Sequence, residues 1–382
     1  MNKNNAVIEP KSHYQILDGL RGVAALFVVA FHIMEAFADG NRFKQIINHG
    51  YLAVDFFFLL SGFVVAYAYD DRWAKMTQWG FYKRRIIRLQ PMLIIGTIIG
   101  AILFYFQGCA MFGLISQTPV WQMLLVMLVG FTLIPLPVSM DIRGWQEMHP
   151  LNGPAWSLFF EYIANILYAV VVRRFSKKVL GVFVFLAACL LVHYTVMGPR
   201  GDVIGGWSLD DVQLNIGFTR MLYPFFAGVL LSRMGKLITI RGAFGICSLM
   251  IAVTLCMPRI GDEHHLWMNG LYESLVIIIV FPVIIAIGAG GSIMGAKATK
   301  ACGFLGDISY PIYITHYPLI YLYTAWVVTN KVPMGRGLAV GFLLWIGAIA
   351  IAYICLKWYD EPVRNWLKKK WLKQPVSVDA RQ

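Results

Sequence analysis

Arg21 and His32 lie eleven residues apart on an otherwise apolar stretch, Leu17-Asp-Gly-Leu-Arg-Gly-Val-Ala-Ala-Leu-Phe-Val-Val-Ala-Phe-His32. On a helix, at about 100° per residue, eleven steps leave two side chains about 20° apart around the axis and roughly 16 Å apart along it. They share one face. An imidazole titrates near neutrality and can take a proton and return it, while a guanidinium grips phosphate or carboxylate oxygens through a planar fork. Ionisable groups at bilayer depth are costly and by default mark a site facing the bundle interior; the competing reading is a pair snorkelling toward opposite interfaces.

Other residues could take part. Glu35, three residues beyond His32, falls on the same face and could orient the ring or stabilise an imidazolium. Arg85 and Arg88, in Lys83-Arg-Arg-Ile-Ile-Arg88, form a compact double-positive site for a phosphate-bearing ligand, or else a membrane anchor. Glu161, in Trp156-Ser-Leu-Phe-Phe-Glu161, sits inside an apolar run and needs a cation or hydrogen-bond partner. His32, Arg220 and Arg21 are the candidates, and a purely structural ion pair between helices is the other reading. Arg220 either binds an anionic group of a substrate or pairs with Glu161. Ser61-Gly62-Phe63 reads as a close-packing point, and His316 as a cavity-lining or hydrogen-bonded packing histidine. Asp360-Glu361-Pro362 reads as a helix end locked by proline, with Glu361 free to pair with a basic neighbour. Trp145, Trp207 and Trp267 read as interface anchors before sugar-stacking residues.

Composition places these groups in a membrane. Of 382 residues, 58% are hydrophobic and 14% charged, and the mean hydropathy is +0.64. Six cysteines occur singly, which gives neither a disulfide framework nor a metal site. The net charge of +13 does not indicate nucleic acid, because the basic residues cluster between apolar segments. Helical spans are expected near 14–34, 51–69, 90–107, 154–172, 179–197, 218–233, 243–258, 270–290, 308–328 and 336–357. The run 121–138, ending Ile-Pro-Leu-Pro137, reads as re-entrant or interfacial. With ten spans, 24 lysines and arginines fall on one side and 7 on the other, so both termini are expected in the cytoplasm. The expected fold is thus an all-α polytopic membrane protein of about ten transmembrane helices. It comprises a leader (1–13), one membrane domain (14–357) and a basic tail (358–382).

The chain resembles the acyltransferase family 3 membrane proteins. The matching elements are Leu17-Asp-Gly-Leu-Arg21-Gly with His32; Asp55-Phe-Phe-Phe-Leu-Leu-Ser61-Gly62-Phe63; Arg85-x-x-Arg88 with Pro91; Trp156-Ser157-Leu158 with Glu161; Ser309-Tyr310-Pro311 with His316; and Glu361-Pro362. Gln90 departs from the aromatic or branched residue common before Pro91. The resemblance implies an O-acyltransferase of the inner membrane that takes an acyl group, usually acetyl, from cytoplasmic acyl-CoA. The acceptor is a hydroxyl of a glycan or lipid-linked glycan at the outer side. It assigns Arg85 and Arg88 to the nucleotide end of CoA, Arg21 to the donor arm, and His32, with Glu161 and Glu35, to catalysis, with no metal. His32 as general base and His32 as transient acyl carrier both fit. Many relatives carry a further hydrolase-like domain, so a separate extracytoplasmic partner is a further expectation. The alternative function is a transporter or flippase for a lipid-linked glycan, since intramembrane His, Glu and Arg also build transport pathways.

Overall fold

The computed structural model describes residues 11, 13–38 and 40–372; most of the expected leader and the last part of the tail lie outside the described residues. Its helices are α1 (Gln15–Glu35), α2 (Ala53–Tyr69), α3 (Gln78–Leu103), α4 (Val120–Gly130), α5 (Ala155–Val170), α6 (Lys177–Met197), α7 (Asp211–Met234) and α8 (Ala243–Cys256). They continue with α9 (Trp267–Leu275), α10 (Phe281–Gly290), α11 (Ala296–Thr315), α12 (Tyr317–Asn330), α13 (Met334–Cys355) and α14 (Glu361–Trp371). The protein is an all-α polytopic membrane protein.

Among the described residues, seven helical stretches are long and apolar enough to cross a membrane by length and composition, and they coincide with seven of the ten expected spans. The other three differ for physical reasons. α5 and α8 are shorter apolar helices of 16 and 14 residues. The expected span 308–328 is two helices that meet at His316, because Pro318 brings no N–H to continue the ladder. α4 has only 11 residues, about 16 Å, and runs into an irregular segment containing Pro135 and Pro137. A bilayer core is about 30 Å thick, so α4 alone does not span it.

Proline also corrects the expected helix end at Glu361-Pro362. The helix does not stop there: a π turn at Leu356–Asp360 absorbs the missing N–H, and α14 continues to Trp371. Glu361 pairs with a basic neighbour as expected, Lys357 at 2.5 Å, and Asp360 pairs with Arg364 at 3.1 Å. The same device recurs at Val276–Val280 ahead of Pro282. There the Tyr223 hydroxyl donates to the Ile278 carbonyl, which Pro282 has no N–H to reach (3.2 Å).

Small residues let the helices that carry the site approach closely. A side chain at Gly22 of α1 would overlap the Leu305 carbonyl of α11, and one at Gly62 of α2 would overlap the Phe225 carbonyl of α7. The Ser61-Gly62-Phe63 element is therefore a packing point. α1 is in contact with α2, α8, α10, α11, α12 and α13, so its polar residues face protein from nearly every direction. Two ion pairs, the first fully buried and the second partly, tie the flanking helices: Asp55 of α2 accepts from Arg220 of α7 at 2.7 Å, and Glu161 of α5 accepts from Arg85 of α3 at 2.5 Å.

Candidate active site

Three cavities follow α1 through the bundle. The first, of about 780 Å³, opens at the end that carries the start of α1 and the end of α14; Arg21, Arg84, Arg88, Arg364 and Lys368 line it, with Asp18, Asp307, Asp360 and Glu361. The carboxylates are mostly engaged. Asp18 meets His13 at 2.5 Å and Arg21 at 3.3 Å, and the Glu361 and Asp360 pairs have been described. The hydrogen bond to Asp18 holds the His13 imidazole above its usual pKa. Arg21 is further fixed by donation from Nε to Ser309 Oγ at 2.8 Å. Arg88 differs: its guanidinium makes no hydrogen bond or ion pair among the described residues, and it borders both this cavity and the next. A guanidinium at a cavity wall with no hydrogen-bond or ion-pair partner can take an anion.

A narrow waist of about 70 Å³ follows, bordered by Arg21, Arg85, Arg88, Ser61, Glu161 and Ser309 among others. Here the two arginines of the Arg85-x-x-Arg88 element part company. Arg85 is buried and bound to Glu161, whose carboxylate also accepts from Ser61 Oγ at 2.7 Å. The expected partners of Glu161 were His32, Arg220 or Arg21; its cation is Arg85, 76 residues away in sequence. Glu161 and Arg85 thus pair between helices, and the two arginines that border both the first cavity and the waist are Arg21 and Arg88. Tyr313, which shares a hydrogen bond with Ser157 at 2.7 Å, borders both the waist and the third cavity.

The third cavity, of about 330 Å³, holds His32 and Glu35 together with Trp145, Trp156, Trp207 and Tyr317. His32 Nδ1 lies 2.9 Å from Glu35 Oε2, as the three-residue spacing predicts. That contact leaves Nε2 as the ring nitrogen available for chemistry. The imidazole is clamped by Tyr317 edge-on at 4.7 Å and by His316 stacked at 5.7 Å between centroids. His316 is buried, with Nδ1 2.9 Å from the carbonyls of Ile312 and Tyr313, so it backs the His32 ring and does not line the cavity. Arg220 forms part of the cavity wall, its donors taken by Asp55, Tyr51 O and Gly205 O. Trp145 and Trp207 line the cavity and Trp267 does not, a separation their shared residue type concealed.

Sequence reasoning missed the loop between α4 and α5. Arg143, fully buried, lies 3.5 Å over the Tyr321 ring and 3.6 Å from Glu147, while the Tyr321 hydroxyl donates to Glu147 at 2.6 Å. Glu147 reaches the His32 cavity, and burial pushes its carboxyl up to about 7, against the pull of Arg143. Burial pushes the nearby His149 imidazole down to about 3. No motif flags these residues; the only signal was four ionisable residues within one short loop, Asp141, Arg143, Glu147 and His149.

Fold and site together define an integral-membrane enzyme whose charged interior runs from a cationic mouth to a histidine–carboxylate pair. A family model described as "Acyltransferase domain" (Acyl_transf_3) matches residues 14–358, and the chain belongs to this acyltransferase family. Over 171 residues it is 34% identical to protein 2 in the picA locus of Rhizobium radiobacter, covering 42% of this chain and 83% of that protein. Over 337 residues it is 23% identical to the O-acetyltransferase OatA of Staphylococcus aureus, covering 83% of this chain and 52% of that protein. The chain therefore spans about half the length of these O-acetyltransferase relatives. No solved structure matches it significantly.

Proposed function

We propose that this membrane acyltransferase moves an acetyl group from acetyl-CoA, or a similar acyl-CoA, to a hydroxyl of a glycan or lipid-linked glycan across the membrane. The basic mouth and both termini face the cytoplasm, and the His32 cavity faces the outer side of the inner membrane. The observation that carries this reading is the series of three cavities along α1, with Arg21 and Arg88 at one end and His32 at the other. Arg21, Arg84 and Arg88 take the phosphates of CoA, and Lys368 adds charge at the rim. The waist suits a thin chain such as the pantetheine arm, which brings the thioester toward His32. Glu161 and Arg85 shape that passage and do not touch the reacting atoms.

Transfer then needs one base and one acid. His32 Nε2 takes the proton of the acceptor hydroxyl, whose oxygen forms the new ester bond at the thioester carbonyl. The carbon–sulfur bond breaks, and the imidazolium returns the proton to the leaving CoA sulfur. Glu35 holds the ring and balances the imidazolium charge. Of the two roles open to His32, general base and acyl carrier, the general base is the one proposed. The family match supports acyl transfer over the transport alternative.

The donor half is tested by binding. CoA should bind the purified protein in nanodiscs, and Arg88→Gln should weaken it roughly 10- to 100-fold, the scale of a charged hydrogen bond. An unchanged affinity would remove Arg88 from the donor site.

A further inference from the structure

We propose that the acceptor is an anionic glycan, bearing carboxylate or phosphate, and that Arg42 and Arg200 recognise its charge. This inference rests on the acyl-transfer reading above. Beside the His32 cavity lies an open groove of about 610 Å³ that shares Gly40, Arg42, Ile204 and Trp207 with it, so a ligand in one reaches the other. The end of the molecule holding this groove has only 7 of the 33 lysines and arginines, yet three of them, Arg42, Arg200 and Arg259, converge here. Basic residues are depleted on that side for reasons of membrane insertion, so their convergence needs another cause.

The three arginines are not equivalent. Arg259 is a scaffold: it donates to Asp202 at 3.1 Å and to the Arg200 carbonyl at 2.7 Å, fixing the turn that presents Arg200. The Arg200 side chain is exposed and makes no hydrogen bond or ion pair among the described residues. The carboxylate paired with Arg42 is that of Glu35, at 3.7 Å, too far for a hydrogen bond. Two guanidinium forks therefore face the groove unsatisfied. Asp202 is neutralised by Arg259, and Glu263 is the other acidic lining residue. Trp207, at the junction, offers a rigid flat surface for a sugar ring.

Arg42 also links recognition to chemistry, since Glu35 bridges it to His32 Nδ1. An acceptor anion on Arg42 draws the guanidinium away from Glu35 and leaves that carboxylate wholly to the imidazolium. Arg200 should then act on acceptor binding alone, and Arg42 on turnover as well.

The test compares surface glycans, by mass spectrometry and linkage analysis, from cells with the protein, without it, and with Arg200→Gln or Arg42→Gln. The expected result is an acetyl group lost from a repeat unit that carries a uronate, another carboxylate or a phosphate, which linkage analysis tells apart. Arg200→Gln should lower acetylation about tenfold at unchanged protein level and CoA affinity, the scale of one charge-assisted contact. Acetyl lost from a wholly neutral glycan overturns the inference while leaving acyl transfer intact. So does full acetylation in both arginine variants. Glycans unchanged by removal of the protein would overturn the acyl-transfer reading and this inference with it.

Discussion

The cavities at the two ends of α1 differ in how their interior arginines are held. At the Arg21 end, Arg84, Arg88 and Lys368 line a wide space without carboxylate partners. At the His32 end, the buried arginines are occupied: Arg220 by Asp55 and backbone carbonyls, Arg143 by the Pro150 carbonyl, Gln107 and Glu147. An arginine with its donors satisfied holds helices together, whereas one without a partner attracts an anion. The contrast is sharpest between Arg85 and Arg88, one turn apart on α3, where a single carboxylate on α5 separates the paired arginine from the unpaired one.

That contrast can be broken by substitution. The largest effect is expected at His32: His32→Ala should cut acetyl transfer about 10²- to 10⁴-fold while CoA affinity stays unchanged, in a labelled-acetyl assay on purified protein. Near-normal turnover would return the ring to a packing role. Next, Glu161→Gln strips the partner from buried Arg85 and should destabilise the fold by about 3–5 kcal/mol. Arg88→Gln removes no pairing and should cost less than about 1 kcal/mol. Equal losses of thermal stability in the two variants would erase the distinction drawn between these neighbours.

A smaller effect separates Glu147 from the rest of the His32 wall. Its carboxyl is raised from 4.5 to about 7 by burial, so the fold binds that proton more tightly than the unfolded chain does. The contribution is full below about pH 4.5 and is lost as pH rises through about 7, where the fold must hold a buried carboxylate. Wild-type melting temperature should therefore fall relative to Glu147→Gln across that window. Parallel curves for the two proteins would show that Glu147 is as easily ionised in the fold as outside it.

Much of this was legible in the chain, and the remainder follows a pattern. The helical spans came from apolar runs, and the common face of Arg21, His32 and Glu35 came from helical periodicity, because both depend on residues near in sequence. The pairing of Glu161 was not legible: His32, Arg220 and Arg21 were the candidates, and the packing of α5 on α3 chose Arg85 instead. The break at His316 and the continuation through Pro362 turned on whether a π turn or a bend absorbs a missing N–H, which neighbouring helices decide. The Arg143–Glu147–Tyr321 cluster joins a loop to a helix 174 residues on, beyond the reach of any local signal.

The central claim is that donor and acceptor meet from opposite sides of one bundle. Protein reconstituted in one orientation in sealed vesicles, with acetyl-CoA on one side and an acetylatable glycan on the other, tests it directly. Transfer should occur only with acetyl-CoA at the Arg21 face and glycan at the His32 face, and His32→Ala should abolish it. Efficient transfer with both substrates confined to the same face would contradict the account.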